Sequence, residues 1–257
     1  MTSKIIIGIT TTPVRLNNMG KMLMSLFRQT KKPDEIVLTI PVVSARFGIP
    51  YQITDNFLLR LIEVKKVVLN TIMDDYGPAT KFIGLLLRNY NPDDILIWVD
   101  DDIEYASNVV EYLTTYLKPY TSIGLSGFNF NKDGNYNKVN RHLHHAEVIE
   151  GFSGVASYKK NMPDIIDFNK YDIRPQTNAS LKTINNIEKA QFLSDDYIIS
   201  TYFKLKGIAT LVCCVKECHF GNCVNVLDMG NRSDALHNLN SKGNMYNYNL
   251  LRGFIKE

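Results

Sequence analysis

The sequence predicts an α/β protein with a mostly parallel sheet covered by helices on both faces. Three observations lead there. Strand-like and helix-like segments alternate through the first half, as repeated β–α units do. One strand-like run, Ile95 to Val99, is wholly apolar, which suits the centre of a sheet buried on both sides. The 257 residues carry 45% apolar and 21% charged side chains, enough for a sizeable core and unlike a disordered chain.

The elements follow in order. Lys4 to Thr10 reads as a buried strand, and Leu16, Met19, Leu23 and Leu26 then fall at helical spacing. Glu35 to Ile40 reads as a second strand closed by Pro41, and Val64 to Asn70 as a third. Gly77-Pro78 opens a helix through Phe82, Leu85 and Leu86, with proline in the first turn where its missing N–H costs little. Ile95 to Val99 is the fourth strand. A helix is expected near Ala106 to Leu117 and a strand near Ser122 to Gly127.

The second half is less regular. Asn131-Lys132-Asp133-Gly134 is a hairpin turn signal. Val148 to Tyr158 reads as strand interrupted by Gly151 and Gly154. Ser194 reads as the N-cap of a helix ending at Gly207, followed by a strand from Ile208 to Val215. The Asn-, Gly- and Ser-rich tail from Asn222 to Asn249 reads as a long loop before a last short helix.

Net charge is +3 with scattered basic residues and no aromatic-basic stripe, so nucleic acid is not an expected partner. No apolar run is long enough for a signal peptide or a membrane span, and the expectation is a soluble protein of a cytoplasm. The four cysteines (Cys213, Cys214, Cys218 and Cys223) match no common zinc spacing and read as free thiols.

The strongest chemical signal is the acidic run Asp100-Asp101-Asp102 directly after the apolar strand. In open α/β sheets ligands gather at the carboxyl edge. Alternation would let Asp100 and Asp102 share a site while Asp101 points away. Hard oxygen ligands there suit Mn²⁺ or Mg²⁺ completed by water and phosphate oxygens.

Ser194-Asp195-Asp196-Tyr197 reads equally as a capped, dipole-complementing helix start and as a segment carrying a general base. His219, after a strand, is a natural further metal ligand, although a lone histidine is more often structural. In Asp74-Asp75-Tyr76-Gly77-Pro78-Ala79-Thr80-Lys81, the helix start and Lys81 could meet phosphate or ribose oxygens; the plainer reading is an ordinary helix start with a surface lysine. His142, His144 and His145 read as an exposed strand or loop.

Together these pieces resemble a family-2-like glycosyltransferase of the GT-A fold. Ile7-Gly8-Ile9-Thr10-Thr11-Thr12-Pro13-Val14-Arg15-Leu16 is similar to the family's first strand and nucleotide loop. Ser25 to Thr30 followed by Pro33-Asp34-Glu35-Ile36 resembles the segment leading to its second strand. Asp100 to Asp102 matches its DXD motif, and Glu150 to Ala156 resembles the glycine strand facing donor sugar and acceptor. Asp195-Asp196 falls where the family has its "ED" pair, with Asp in place of the usual Glu, and His219 where many members carry a metal-binding His.

The resemblance implies a Rossmann-like, mostly parallel sheet flanked by helices in a single GT-A domain over residues 1–257. Residues from about 1 to 127 form the nucleotide-binding half, and a smaller acceptor-binding half runs from about 128 to 257. It implies inverting transfer from a nucleoside-diphosphate sugar, a UDP-sugar above others, to a hydroxyl of a glycan or glycoconjugate. Asp100, Asp102 and His219 would serve the metal. Thr10, Thr11, Arg15, Asp75, Lys81 and Asp101 would hold the donor nucleotide. Asp196, or Asp195, would be the base. Gly151, Phe152, Ser153 and Arg232 would border sugar and acceptor, with the tail near Arg232 folding over the donor. No Gln-x-x-Arg-Trp segment is present, so a processive synthase is not expected. The composition resembles glycosyltransferases of large DNA viruses or AT-rich microbes. The alternatives are a sugar nucleotidyltransferase on a related sheet and a non-catalytic carbohydrate-binding protein of the same fold.

Overall fold

The computed structural model describes residues 3–133, 135–164, 185–213, 224–226 and 243–254. In chain order the elements are β1 (Ile5–Ile9), α1 (Gly20–Phe27), β2 (Glu35–Pro41), α2 (Asn56–Glu63), β3 (Val68–Ile72), α3 (Thr80–Leu86), β4 (Ile95–Val99), β5 (Ile103–Tyr105) and α4 (Val109–Tyr116). There follow β6 (Thr121–Gly124), β7 (Gly127–Phe130), β8 (Tyr136–Lys138), β9 (His144–His145), β10 (Val148–Ile149) and β11 (Val155–Tyr158). The chain continues through α5 (Asn186–Leu193), α6 (Asp195–Leu205), β12 (Ala209–Val212), β13 (Val224–Val226) and α7 (Gly243–Phe254).

Eight strands form one sheet in the order β3-β2-β1-β4-β11-β6-β12-β9. The first four are parallel to one another, β11 runs against both β4 and β6, and β12 is parallel to β6. Strands from both sides of residue 127 share this sheet. Because β1 and β4 are covered on both faces, their side chains feed two cores by turns. Ile5, Ile7 and Ile9 join α1 and α4 in one; Ile6, Leu96 and Trp98 join α3 and α6 in the other. Each fully buried isoleucine of this kind contributes about 1.5–3 kcal/mol.

Helix α3 lies unusually deep on the sheet. A Cβ on Gly84 would meet Thr39 Oγ1 at 2.0 Å, and one on Gly8 would meet the Lys81 carbonyl at 2.4 Å. These two glycines let the helix settle close enough to push Lys81 under the end of β4.

Several expectations shift at element ends. The third strand starts at Val68, because Asp55 caps α2 through Leu58 N (3.0 Å) and Val64 ends that helix. Lys65, at φ 54°, then turns the chain. The expected strand from Ser122 to Gly127 divides into β6 and β7, which sit in different sheets. Val148 to Tyr158 likewise divides. β10 pairs with β7, β11 enters the main sheet, and a 3₁₀ turn at Gly151–Ser153 switches between them.

Ser194 is at the N-cap of α6 but makes no capping bond, and its buried hydroxyl has no partner among the described residues. Helix α5 was not anticipated, although Asn185 and Glu188 form a capping box. Helix α7 takes residues 243–249 from the expected loop. Met245, Tyr248 and Leu251 pack against Phe128 and Tyr197, so burial overrides the poor helix propensity of Asn and Gly. The hairpin signal at Asn131 to Asp133 does join β7 to β8, and His144 and His145 are exposed.

Candidate functional site

The carboxyl ends of β1 to β4 open into a cleft of about 320 Å³. Thr10 and Thr11 extend β1, Ser44 follows β2, Asp75 follows β3, and Asp100 to Asp102 follow β4. The opposite wall comes from the second half: Glu150 and Phe152, Phe192, Asp195 and Asp196, and Tyr248 of α7.

At its centre lies Lys81. Its ammonium is 2.6 Å from Asp100 Oδ1 and 2.8 Å from Asp195 Oδ2, with the side chain only 3% exposed. Burial alone would pull its pKa down. The charges of Asp100, Asp195 and Asp196 outweigh that and hold it well above the ordinary lysine value. Asp195 is thereby locked. Asp196 instead accepts a hydrogen bond from Gly151 N at 2.8 Å. Burial, and then the neighbouring Asp195 carboxylate, hold Asp196 well above the usual carboxylate range. Gly151 is required by close approach, since a Cβ there would meet Asp196 Oδ1 at 2.9 Å and Lys81 Nζ at 3.0 Å.

The second fixed cation is Arg15. Its Nη1 lies 3.1 Å from both Asp101 Oδ1 and Asp102 Oδ2. Thr11 Oγ1 also donates to Asp101. Asp101 therefore does not point away from the site, as alternation suggested. The strand ends at Val99 and the chain turns through residues 101 and 102, so extended-chain alternation no longer applies. Asp102 is held up at about 6, by burial first and then by Asp100 and Asp101, against the pull of Arg15. Tyr105 secures the turn: its hydroxyl accepts from Asp100 N (3.0 Å) and donates to the Phe152 carbonyl (2.8 Å).

On the far side of the cleft, Asp75 accepts from Ala45 N and Gly77 N, each at 2.7 Å. Burial raises its pKa against those two bonds. Gly77 has φ +60°, and a Cβ there would meet the Phe192 carbonyl at 2.6 Å, so only glycine joins these two walls. Tyr51 donates to the Thr11 carbonyl at 2.9 Å, and Thr10 Oγ1 donates to the Thr39 carbonyl at 2.9 Å.

Most of the anticipated residues thus meet in one cleft: Thr10, Thr11, Arg15, Asp75 and Lys81 on the sheet side, the acidic triplet at its centre, and Phe152, Asp195 and Asp196 across from them. Three points differ. Lys81 is no surface lysine; it is enclosed among carboxylates. Gly151 stands behind Asp196 and does not line the cleft. Ser153 is 1% exposed and donates to the Glu150 carbonyl at 3.0 Å, turned away from the cavity. His219 and Arg232 lie outside the described residues, as do Cys214, Cys218 and Cys223; Cys213 is buried in the core.

Glu150, Tyr51 and Tyr248 were not anticipated. Glu150 Oε2 accepts from Ser126 Oγ at 2.6 Å and pairs with Lys138. Tyr248 stacks on Tyr197 and Phe128 at ring separations of 5.8 and 5.7 Å. Glu150 adjoins the glycine segment and carried some signal there. Tyr248 sits in a stretch that read as loop and carried none.

The donor chemistry fits a hard divalent cation. Seven carboxylates line the cleft against three cationic side chains among the described residues, and burial with Asp100 and Asp101 holds the Asp102 pKa up despite Arg15. Among the described residues no three His, Cys, Asp or Glu side chains converge into a ready-made metal cage. A metal here would need oxygen ligands from substrate or water.

No family model matches the chain, and no curated protein matches it. Solved structures do. TarS of S. aureus overlays with a TM-score of 0.55 at 10% identity, covering 98% of this chain and 42% of TarS. Residues 1–349 of TarS in complex with UDP-GlcNAc give 0.51 at 12% identity, covering 83% and 56%. A looser overlay, at 0.49 and 12% identity over 82% and 55%, is with the mannosyltransferase PcManGT of Pyrobaculum calidifontis in complex with GDP-Man and Mn²⁺. The chain spans about half the length of these structures. At such identities the likeness shows the fold alone, and that fold is of the GT-A type: a large, mostly parallel sheet flanked by helices.

Proposed function

We propose that this chain is a glycosyltransferase that moves a sugar from a nucleoside-diphosphate donor, a UDP-sugar above others, to a hydroxyl of a glycan or glycoconjugate, with inversion. One observation carries the reading. Two acidic segments distant in sequence, Asp100 to Asp102 and Asp195-Asp196, meet around one buried Lys81 in the cleft at the carboxyl edge of a GT-A sheet.

The proposed roles are supported by position in the cleft. Asp75, Tyr51 and Ser44 wall the far side of the cleft, where a flat base would enter. Arg15 and Thr10 stand beside the acidic triplet, within reach of ribose and phosphate oxygens. Asp100 and Asp102 would hold Mn²⁺ or Mg²⁺, which supplies positive charge against the leaving diphosphate. Asp196 is the base. It lines the cleft and has a raised proton affinity against the pull of Lys81, and among the described residues it makes no ion pair like the 2.8 Å contact that holds Asp195. The acceptor oxygen bonds to the anomeric carbon, its proton passes to Asp196, and the bond from that carbon to the diphosphate oxygen breaks. Phe152 and Glu150 border the transferred sugar or the acceptor. The whole chain acts as one unit, residues from about 1 to 127 serving the nucleotide and those from about 128 onward the acceptor.

Calorimetric titration of UDP with and without Mn²⁺, repeated with GDP, tests this. UDP binding that strengthens with the metal and exceeds GDP binding is expected. Absence of binding by either nucleotide would overturn the donor class.

A further inference from the structure

The amino ends of β4, β6 and β12 surround a second recess, of about 520 Å³. Strands of four or five residues, rising about 3.3 Å each, set it roughly 15 Å from the first cleft. Two separate segments supply its charge. Lys159 and Lys160 come from the turn after β11, and Lys206 follows α6. Three tyrosines, Tyr90, Tyr120 and Tyr202, stand among them, and among the described residues the lining holds one carboxylate, Asp164. Lys206 Nζ lies 5.7 Å from the Tyr202 ring centre, and Lys160 Nζ lies 5.2 Å from that of Tyr158. Asp93 engages Lys160 at 2.7 Å from outside the recess.

Tyr120 is the most telling residue. It is 72% exposed and sits at φ 57°, a left-handed conformation that bulky side chains rarely adopt. Its carbonyl accepts from Ala209 N at 3.0 Å where β6 and β12 meet, so the sheet fixes the strained residue and holds its ring out at the rim.

We propose that this recess binds anionic carbohydrate, meaning sugar residues that carry phosphate or carboxylate groups. Lysine ammoniums are compact charges suited to phosphate and carboxylate oxygens. The exposed Tyr120 ring offers an apolar face for the C–H side of a sugar and a hydroxyl for its polar edge, while Tyr202, 4% exposed, and Tyr90, whose hydroxyl is engaged by Arg88 and Glu35, form the floor and wall. The volume falls in the range of ligand sites. A long nucleic acid fits less well, because Asp93 pairs with Lys160, Asp164 shares the lining, and the described residues of the recess supply three lysines from two short segments. The site does not depend on the transferase reading, and a ligand there leaves the cleft open.

The test is a binding titration of the full chain with dextran phosphate, alginate and unmodified dextran, with UDP and Mn²⁺ present to occupy the cleft. Either anionic polymer should bind and plain dextran should not; which of the two binds tells phosphate from carboxylate. Replacing Lys159, Lys160 and Lys206 together by alanine should weaken binding at least about tenfold. Tyr120→Ala should weaken it several-fold, and Lys21→Ala, on an exposed position of α1, should leave it unchanged. If the triple variant does not fold, the exposed single change Lys206→Ala serves in its place. No binding of either polymer overturns the proposal. So does undiminished binding by the lysine or Tyr120 variants, and so does tighter binding of oligo-dT than of both polymers. A failed UDP titration would leave this outcome standing, and the reverse also holds.

Discussion

The two ends of the central sheet carry opposite chemistry. Where the parallel strands finish, seven carboxylates face three cationic side chains among the described residues, and two of those cations, Arg15 and Lys81, are tied by ion pairs into the acidic groups around them. Where the strands begin, three lysines face one carboxylate among the described residues. The first arrangement is rigid, since Arg15 and Lys81 each bridge two carboxylates from within the wall. The second is less enclosed: Lys160, paired with Asp93 at 2.7 Å, is 40% exposed against 3% for Lys81. Enclosed, ion-paired sites suit chemistry on a small reacting centre, and more exposed basic sites suit holding a varied polymer.

The sharpest way to break this comparison is at Asp196. Asp196→Asn should lower transfer about 10²- to 10⁴-fold while leaving UDP affinity unchanged. A clear loss of UDP binding would remove the base assignment. The next largest effect belongs to Lys81. Lys81→Met removes the ammonium that pairs with Asp100 and Asp195 beside Asp196, and leaves those carboxylates facing each other. About 3–5 kcal/mol of stability should go, read by urea or thermal unfolding. The same change at Lys206, at the other end, should cost almost nothing. Equal costs at both positions would mean that the Lys81 cluster is not the rigid element described here.

Much of the cleft was legible from sequence. The apolar run Ile95 to Val99 gave both the central strand and the place where Asp100 to Asp102 emerge, because an all-apolar strand must be covered on both faces and its carboxyl end opens to solvent. Legibility failed where the answer depended on contacts between distant segments. Nothing local marks Lys81 as enclosed; that depends on Gly8 and Gly84 letting α3 sink onto the sheet. Tyr248 was hidden in an Asn-rich stretch whose helix forms only because Phe128 and Tyr197 wait for it. Net charge misled in a further way. A chain total of +3 is nearly balanced, and summation conceals that acidic and basic groups have been sorted to opposite ends of one sheet.

The smallest predicted effect is at Asp102, and it sharpens the comparison by asking whether the acidic surplus is there for a cation. Asp100 and Asp102 are both partly open to the cleft, at side-chain exposures of 33% and 27%. Arg15 already engages Asp102, so a metal would add to an existing charge balance without having to create one. Removing Asp102 therefore forfeits part of the metal's hold without exposing a new buried charge. Asp102→Ala should weaken UDP binding in Mn²⁺ by about tenfold, or ~1.4 kcal/mol, and a chelator should then change little more. In the unaltered protein the same chelator should reproduce most of that loss by calorimetry. It should leave polymer binding at the far recess untouched, because lysines and tyrosines hold no divalent ion. Chelator-sensitive binding at both ends would mean that the metal acts on the fold as a whole, and that the two sites are not the separate devices their opposite charge implies.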